Sequence, residues 1–138
     1  MLDDVHGGAG EQLVGWLYEI SDKGKQDDIK EEIMTYQVRV NKYIPGFGHR
    51  FHKPTDPRAP RLMSLVKGAK DSGLVSGKFM ELALSIERHL AEIKGESVPM
   101  NIDGATAVIF AELGFAPALA RGLFCLSRSV GAMAHAYE

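Results

Sequence analysis

The chain has 138 residues, enough for one domain with its own core. Its 45% hydrophobic residues and net charge of −2 exclude intrinsic disorder as the main state and argue against a nucleic-acid partner, which would require a basic surface. No apolar run reaches the ~18 residues of a membrane span, and the single cysteine, Cys125, excludes an internal disulfide and a multi-cysteine zinc site, so we expect a cytoplasmic protein.

Apolar residues recur at helical spacing in the first part of the chain and predict two amphipathic helices. The first covers residues 9–22. The second begins near Asp27 and Asp28, whose carboxylates suit the positive end of a helix dipole. The predicted buried positions are Leu13, Val14, Leu17 and Ile20 in the first helix and Ile29, Ile33, Tyr36 and Val40 in the second.

Glycine and proline interrupt this pattern between residues 43 and 58, at Pro45, Gly46, Gly48, Pro54 and Pro57. Two further helices are predicted after the interruption, one from about residue 57 to 72 and one from residue 79 to 94. Their predicted buried positions are Leu62, Leu65, Val66 and Ala69, then Phe79, Leu82, Ala83, Ile86, Leu90 and Ile93.

Two strongly apolar helices are predicted at the end of the sequence, over residues 103–113 and 117–137. Together they are more apolar than one small domain needs to cover its own core, so we expect both to be covered by another part of a longer chain or by another subunit. Residues 38–44 lean towards β structure, but no segment alternates convincingly as strands do. The predicted fold class is therefore all-α.

The segment His6-Gly7-Gly8-Ala9 precedes the first helix and holds the first candidate functional residue. The positive end of a helix dipole favours the neutral form of a histidine. A neutral imidazole can donate a hydrogen bond to a developing oxyanion. The alternative interpretation is a capping turn with an incidental histidine.

The segment Pro45-Gly46-Phe47-Gly48-His49-Arg50 is rich in glycine and is followed by further cations, among them Arg58. Exposed backbone groups at glycines can bind a flat or phosphorylated ligand, and arginines bind carboxylates or phosphates. The alternatives are a solvated basic loop, or a metal site of His49 and His52, for which no third ligand lies nearby.

The last two predicted helices contain three further candidate residues. Asp103 is a candidate general base beside an apolar helix, and the alternative is a helix N-cap. Arg128 requires an anionic partner if it is buried, and the alternative is a position facing solvent. Cys125 has no adjacent base and is predicted to be a small buried apolar residue rather than a nucleophile.

The order and spacing of these motifs resemble the citrate synthase superfamily over essentially the whole chain. The motifs are His-Gly-Gly-Ala, Pro-Gly-Phe-Gly-His-Arg with the arginine of Asp-Pro-Arg nine residues after the histidine, Pro-x-Asn-x-Asp, and Phe-x-x-Ser-Arg-x-x-Gly. The resemblance implies an all-helical fold in which a large and a small domain close over the substrates, usually in a dimer.

The resemblance implies three catalytic residues. His6 matches the histidine that hydrogen-bonds the thioester carbonyl and stabilises the enol of acetyl-CoA. Asp103 matches the carboxylate that removes the methyl proton. His49 matches the histidine that polarises the keto group of the oxo-acid.

The resemblance also implies the residues that hold the substrates. Arg58 and Arg128 match arginines that bind the carboxylates of oxaloacetate or citrate, and Phe124 matches an aromatic residue near the substrate. Neither a metal nor a permanently bound cofactor is implied, because the CoA thioester is a substrate. The segment that lies against the CoA adenine matches Ile44, Pro45, Gly46, Phe47 and Gly48.

The matched motifs divide the chain into two parts. Residues 1–115 resemble the small domain, and residues 116–138 resemble the first returning helix of the large domain. Family chains are much longer, so we expect this chain to be a fragment or one part of a larger assembly, with a homodimer in the complete protein. One departure is Asp4-Val5, where the family often has Gly-Pro-Leu before the histidine.

The predicted activity is the joining of acetyl-CoA and oxaloacetate through an enol, a reaction of the tricarboxylic acid cycle. Citryl-CoA lyase, which cleaves citryl-CoA to acetyl-CoA and oxaloacetate, stays open because the same residues serve both directions. A third interpretation is a non-catalytic fragment that binds CoA or another subunit.

Overall fold

A computed structural model describes residues 8–48 and 57–136 of the chain. Within those ranges the chain forms six helices and no strand, which confirms the all-α prediction. Residues 38–44, which lean towards β structure in sequence, form the end of the second helix and a connection. The helices are α1 (Gly8–Asp22), α2 (Ile29–Arg39), α3 (Arg58–Asp71), α4 (Lys78–Lys94), α5 (Ile102–Glu112) and α6 (Pro117–Ala136).

Helix α5 lies at the centre of the bundle and packs against α1, α3 and α4. Most of its buried side chains are small, which allows neighbouring helices to approach closely. The expectation that α5 needs cover from elsewhere is therefore wrong, because the chain's own helices bury it. The buried residues of α5 are Gly104, Ala105, Ala107, Val108 and Ala111.

Helix α6 packs mainly on α1 through its first turns. The Tyr18 hydroxyl of α1 donates to the Phe115 carbonyl just before α6, at 2.6 Å, and burial raises the pKa of this hydroxyl. Ala120 is the one residue of α6 that is buried. The expected uncovered apolar surface is therefore confirmed for α6, whose exposed large side chains are Leu119, Leu126, Val130 and Met133.

Two predicted core positions are exposed, and several others, among them Leu62, Ala69 and Ile93, are partly buried rather than buried. Val40 is 64% exposed because α2 ends at Arg39 and leaves it as the residue after the helix. Leu65 is 63% exposed because α3 turns Ala59 and Val66 towards the core instead. Cys125 is partly buried on α6, where we predicted a buried position. Periodicity thus located the helices more reliably than it located the edge of each buried face.

Candidate active site

The loop of residues 44–48 is held in the core at two points. Ile44 and Phe47 are buried, so the loop is anchored by its side chains on either side of Pro45 and Gly46. Gly46 and Gly48 adopt positive φ angles of 89° and 83°, which residues with a Cβ rarely adopt. This loop, hereafter the 44–48 loop, contains all five residues of the segment matched to CoA binding.

The 44–48 loop pairs with the segment that precedes α5. The Asn101 backbone N–H donates to the Gly46 carbonyl at 2.9 Å, and the Gly48 N–H donates to the Pro99 carbonyl at 2.6 Å. Phe47 and Met100 face each other as an isolated antiparallel bridge. The loop and this segment, residues 96–101 and hereafter the linker, are therefore joined by a short ladder of backbone hydrogen bonds.

Asn101 also joins the loop to helix α5 through its side chain. Its Oδ1 accepts the Gly104 backbone N–H at 3.1 Å and so caps α5, while its Nδ2 donates to the Gly48 carbonyl at 2.6 Å. The helix cap is therefore Asn101, and the N-cap interpretation of Asp103 is wrong. One asparagine fixes both the start of α5 and the position of the residue that precedes His49.

Close packing of two glycines completes this junction. A Cβ built on Gly104 would lie 2.3 Å from the Gly46 carbonyl oxygen, and a Cβ built on Gly46 would lie 2.8 Å from the Gly104 Cα. The loop backbone therefore rests directly on the first turn of α5. No side chain larger than hydrogen fits at either position without moving the backbone.

Asp103 is the second residue of α5 and is partly buried. The helix dipole favours a carboxylate in this first turn. The start of α1 also lies here, since a Cβ built on Gly10 would be 4.0 Å from the Asp103 carbonyl oxygen. Three chain segments that are distant in sequence thus meet around the α5 N-terminus: the start of α1, the 44–48 loop and the linker.

Helix α6 reaches the start of α1 through an ion pair. Arg121 Nη1 lies 3.2 Å from Glu11 Oε2, and both side chains are partly buried. Phe124 and Arg128 follow Arg121 by three and seven residues and so share its face of the helix. The Arg128 guanidinium is exposed and lies over the Phe124 ring, 5.5 Å from its centroid.

The remaining sequence-predicted residues lie away from this junction or outside the described residues. Arg58 is the exposed first residue of α3, a helix that packs on α5. His6, His49 and His52 lie outside residues 8–48 and 57–136.

Within those two ranges, no group of three or more His, Cys, Asp or Glu side chains could hold a metal ion. No helix there is both long and apolar enough to cross a membrane.

Replacing Asn101 by alanine should lower the free energy of unfolding by about 2 kcal/mol, because both the helix cap and the bond to the loop are lost. Asn101→Ser keeps a cap acceptor and removes the amide donor to Gly48, so about half of that loss is expected. The measurement is urea denaturation of the chain. Asn41→Ala is the control, because the Asn41 side chain accepts the exposed Tyr43 N–H two residues away. Equal losses in Asn41→Ala and Asn101→Ala would contradict the conclusion that the Asn101 side chain stabilises both the start of α5 and the 44–48 loop.

The sequence matches the family model described as the citrate synthase C-terminal domain over residues 3–138. The chain therefore belongs to the citrate synthase family. It is 32% identical to the citrate synthase of Acidithiobacillus ferridurans over 95% of the chain and 33% of that protein. It is 29% identical to the Saccharolobus solfataricus citrate synthase, over 97% of the chain and 35% of that protein.

Solved structures of the family share this fold. A citryl-CoA lyase of Hydrogenobacter thermophilus superposes with a TM-score of 0.81 at 31% identity, over 100% of this chain and 51% of that one. The citrate synthase of Thermoplasma acidophilum, in ternary complex with carboxymethyl coenzyme A and oxaloacetate, gives a TM-score of 0.74 at 27% identity, over 95% of this chain and 34% of that one. The chain thus spans about a third of the citrate synthases it matches and about half of the lyase.

Proposed function

We propose that the chain carries the CoA-binding loop and the general base of a citrate synthase-type site, which joins acetyl-CoA and oxaloacetate through an enol. The observation that supports this best is the pair of hydrogen bonds made by the Asn101 side chain. Its Nδ2 donates to the 44–48 loop at 2.6 Å and its Oδ1 accepts from the first turn of α5 at 3.1 Å, so the loop is held against the helix start that bears Asp103. A thioester bound along the loop would have its reactive end guided towards that carboxylate.

The chemistry requires a base and an oxyanion donor that act together. A methyl group beside a thioester is a very weak acid, so its proton leaves only when the developing enolate is stabilised. Asp103 is the proposed base and His6 the proposed donor. His6 precedes the first residue of α1 by two positions, a span of at most about 7 Å. The start of α1 lies beside Asp103, which supports the assignment of this role to His6.

The oxo-acid requires fixed cations and a polarised keto group. We assign the keto contact to His49, which directly follows the loop, and the carboxylate contacts to Arg58 and Arg128. Phe124 supports this assignment because the Arg128 guanidinium stacks over its ring, which restricts the directions in which the arginine can point.

The relatives support these substrates. The Thermoplasma enzyme was solved with a CoA derivative and oxaloacetate at 27% identity to this chain. We therefore propose a CoA thioester as substrate, without a permanently bound cofactor, in a cytoplasmic enzyme whose complete form is a homodimer. Residues 1–115 would form its small domain and residues 116–138 its returning helix.

Citryl-CoA lyase activity is the second candidate. It is supported by the TM-score of 0.81 with the Hydrogenobacter lyase, above the 0.74 for the Thermoplasma synthase. Both reactions pass through the same enol, so His6, Asp103 and His49 would keep their roles and only the direction and the fate of citryl-CoA would differ.

One assay with two substrates separates the candidates. The chain is given acetyl-CoA with oxaloacetate and, in parallel, citryl-CoA alone. Free thiol that appears only when both acetyl-CoA and oxaloacetate are present supports the synthase. Acetyl-CoA released from citryl-CoA without free thiol supports the lyase. Binding of acetyl-CoA without either reaction supports a non-catalytic fragment, and the lack of both binding and reaction would contradict the proposal.

A further inference from the structure

Glu87 of α4 makes a hydrogen bond to the linker that the proposed reaction does not use directly. Its Oε2 accepts the Met100 backbone N–H at 2.6 Å, across 13 positions of sequence, at a partly buried site. A charged acceptor makes this bond shorter and stronger than a neutral one would. Met100 itself is buried, with 3% of its surface exposed.

The geometry of the linker explains why this acceptor is needed. In an extended segment the backbone groups of successive residues point to opposite sides. The Pro99 carbonyl and the Asn101 N–H both point to the 44–48 loop, so the Met100 N–H between them points the other way, towards α4. Without Glu87 that buried donor would lack its partner, at a cost of about 1–3 kcal/mol.

The same carboxylate lies where three segments meet. Glu87 lines a groove of about 420 Å³ between α3, α4 and the linker. The α3 side of that groove includes Ala59 and Pro60, which directly follow Arg58. The linker side leads through Met100 and Asn101 to Asp103.

We infer that Glu87 is a positioning residue of the active site, which acts through the linker and not on the substrate. It binds the Met100 N–H on the side of the linker that faces α4, opposite the 44–48 loop. This bond fixes the register between the 44–48 loop and the α5 N-terminus. This inference rests on the proposed function for its catalytic consequence. Misplacement of reacting groups by about 1 Å costs roughly 100-fold in rate, so a linker that shifts would weaken both thioester binding and proton removal.

The test uses three variants of the 138-residue chain. Glu87→Met keeps the length of the side chain and removes the acceptor, and Glu87→Gln keeps a neutral acceptor. Glu92→Met is the matched control, because Glu92 is exposed on the same helix. The first measurement is amide hydrogen exchange at Gly48 and Asn101, whose N–H groups form the loop–linker ladder. The second is the affinity for acetyl-CoA.

We expect the Gly48 and Asn101 amides to exchange at least about tenfold faster in Glu87→Met, with little change in Glu92→Met and most of the protection restored in Glu87→Gln. The Met100 amide proton, which donates to the Glu87 carboxylate, should move upfield in Glu87→Met. The affinity for acetyl-CoA should fall by about tenfold in the same variant. Unchanged exchange at Gly48 and Asn101 would overturn the inference, and so would faster exchange with unchanged acetyl-CoA affinity.

The role of Glu87 can still be tested if Glu87→Met does not fold or if the unmodified chain does not bind acetyl-CoA. If Glu87→Met does not fold, Glu87→Asp takes its place, since it keeps the charge but withdraws the carboxylate by one methylene group, and the same two amides are compared. If the unmodified chain does not bind acetyl-CoA, the proposed function fails. The exchange rates at Gly48 and Asn101 then still decide whether Glu87 positions the linker.

Discussion

Replacing Asp103 by asparagine is expected to lower the rate of enol-dependent turnover by roughly 10²- to 10⁴-fold, the usual contribution of a positioned general base. Asparagine has nearly the same shape as aspartate but accepts no proton at neutral pH. The side chain would keep its place in the first turn of α5, so KM for acetyl-CoA should change little while kcat falls. The measurement is steady-state thiol release, or acetyl-CoA formation if the lyase direction is the active one.

The control for this variant is Asp28→Asn. Asp28 is the N-cap residue of α2, and asparagine caps helices as well as aspartate does. Full activity is expected there. If Asp103→Asn keeps more than about a tenth of the rate, Asp103 is not the base, because a lost general base costs at least 100-fold. Exchange of the acetyl-CoA methyl protons with deuterated water gives a second readout of the same step, and it should disappear in Asp103→Asn.

Gly46→Ala should be strongly destabilising, with an expected loss of about 2–5 kcal/mol. The new Cβ would lie 2.6 Å from Leu13 Cδ2 and 2.8 Å from the Gly104 Cα, and the second contact is with backbone. Forced overpacking costs about 1–3 kcal/mol. A non-glycine residue at a φ of 89° adds roughly 1–2 kcal/mol of strain.

Gly24→Ala separates the two contributions. Gly24 also has a positive φ, of 67°, but nothing lies within 4 Å of its Cβ position. Its loss should therefore be about 1–2 kcal/mol, from the backbone conformation alone. Urea denaturation of both variants measures the difference, which reports the close approach of the 44–48 loop to α5. Equal losses would mean that the loop can move away from α5 without cost.

The helices could be predicted from sequence because the signals that define them are local. Apolar residues three and four positions apart marked α1 and α4, and the glycines and prolines between residues 43 and 58 marked the interruption. The errors lie where local periodicity stops being informative. Val40 continues the apolar stripe of α2 beyond the residue at which the helix ends, and α5 resembles an interface helix although it is the centre of the core.

The junction around α5 was less accessible to sequence reasoning. Asn101 has a local signal, since asparagine is a preferred N-cap, but its bond to the Gly48 carbonyl spans 53 positions. The Glu87–Met100 bond spans 13 positions and has no local signal at all. The sequence itself offered His6 as a candidate oxyanion donor and Asp103 as a candidate general base, while the keto contact of His49 was implied by the family resemblance, and all three roles stay predictions.

The packing of α1 has a consequence for the order in which the chain is synthesised. Helix α1 rests mainly on α5 and α6, which begin about 80 and 95 residues after α1 ends. At ribosomal rates of ~5–20 residues per second, α5 and α6 are synthesised roughly 5–20 s after α1, and the apolar face of α1 stays uncovered by them during that time. During this interval Leu13, Leu17 and Ile20, all fully buried in the finished fold, are available for contacts with other nascent chains. Translation that stalls before residue 102 would therefore leave an aggregation-prone product.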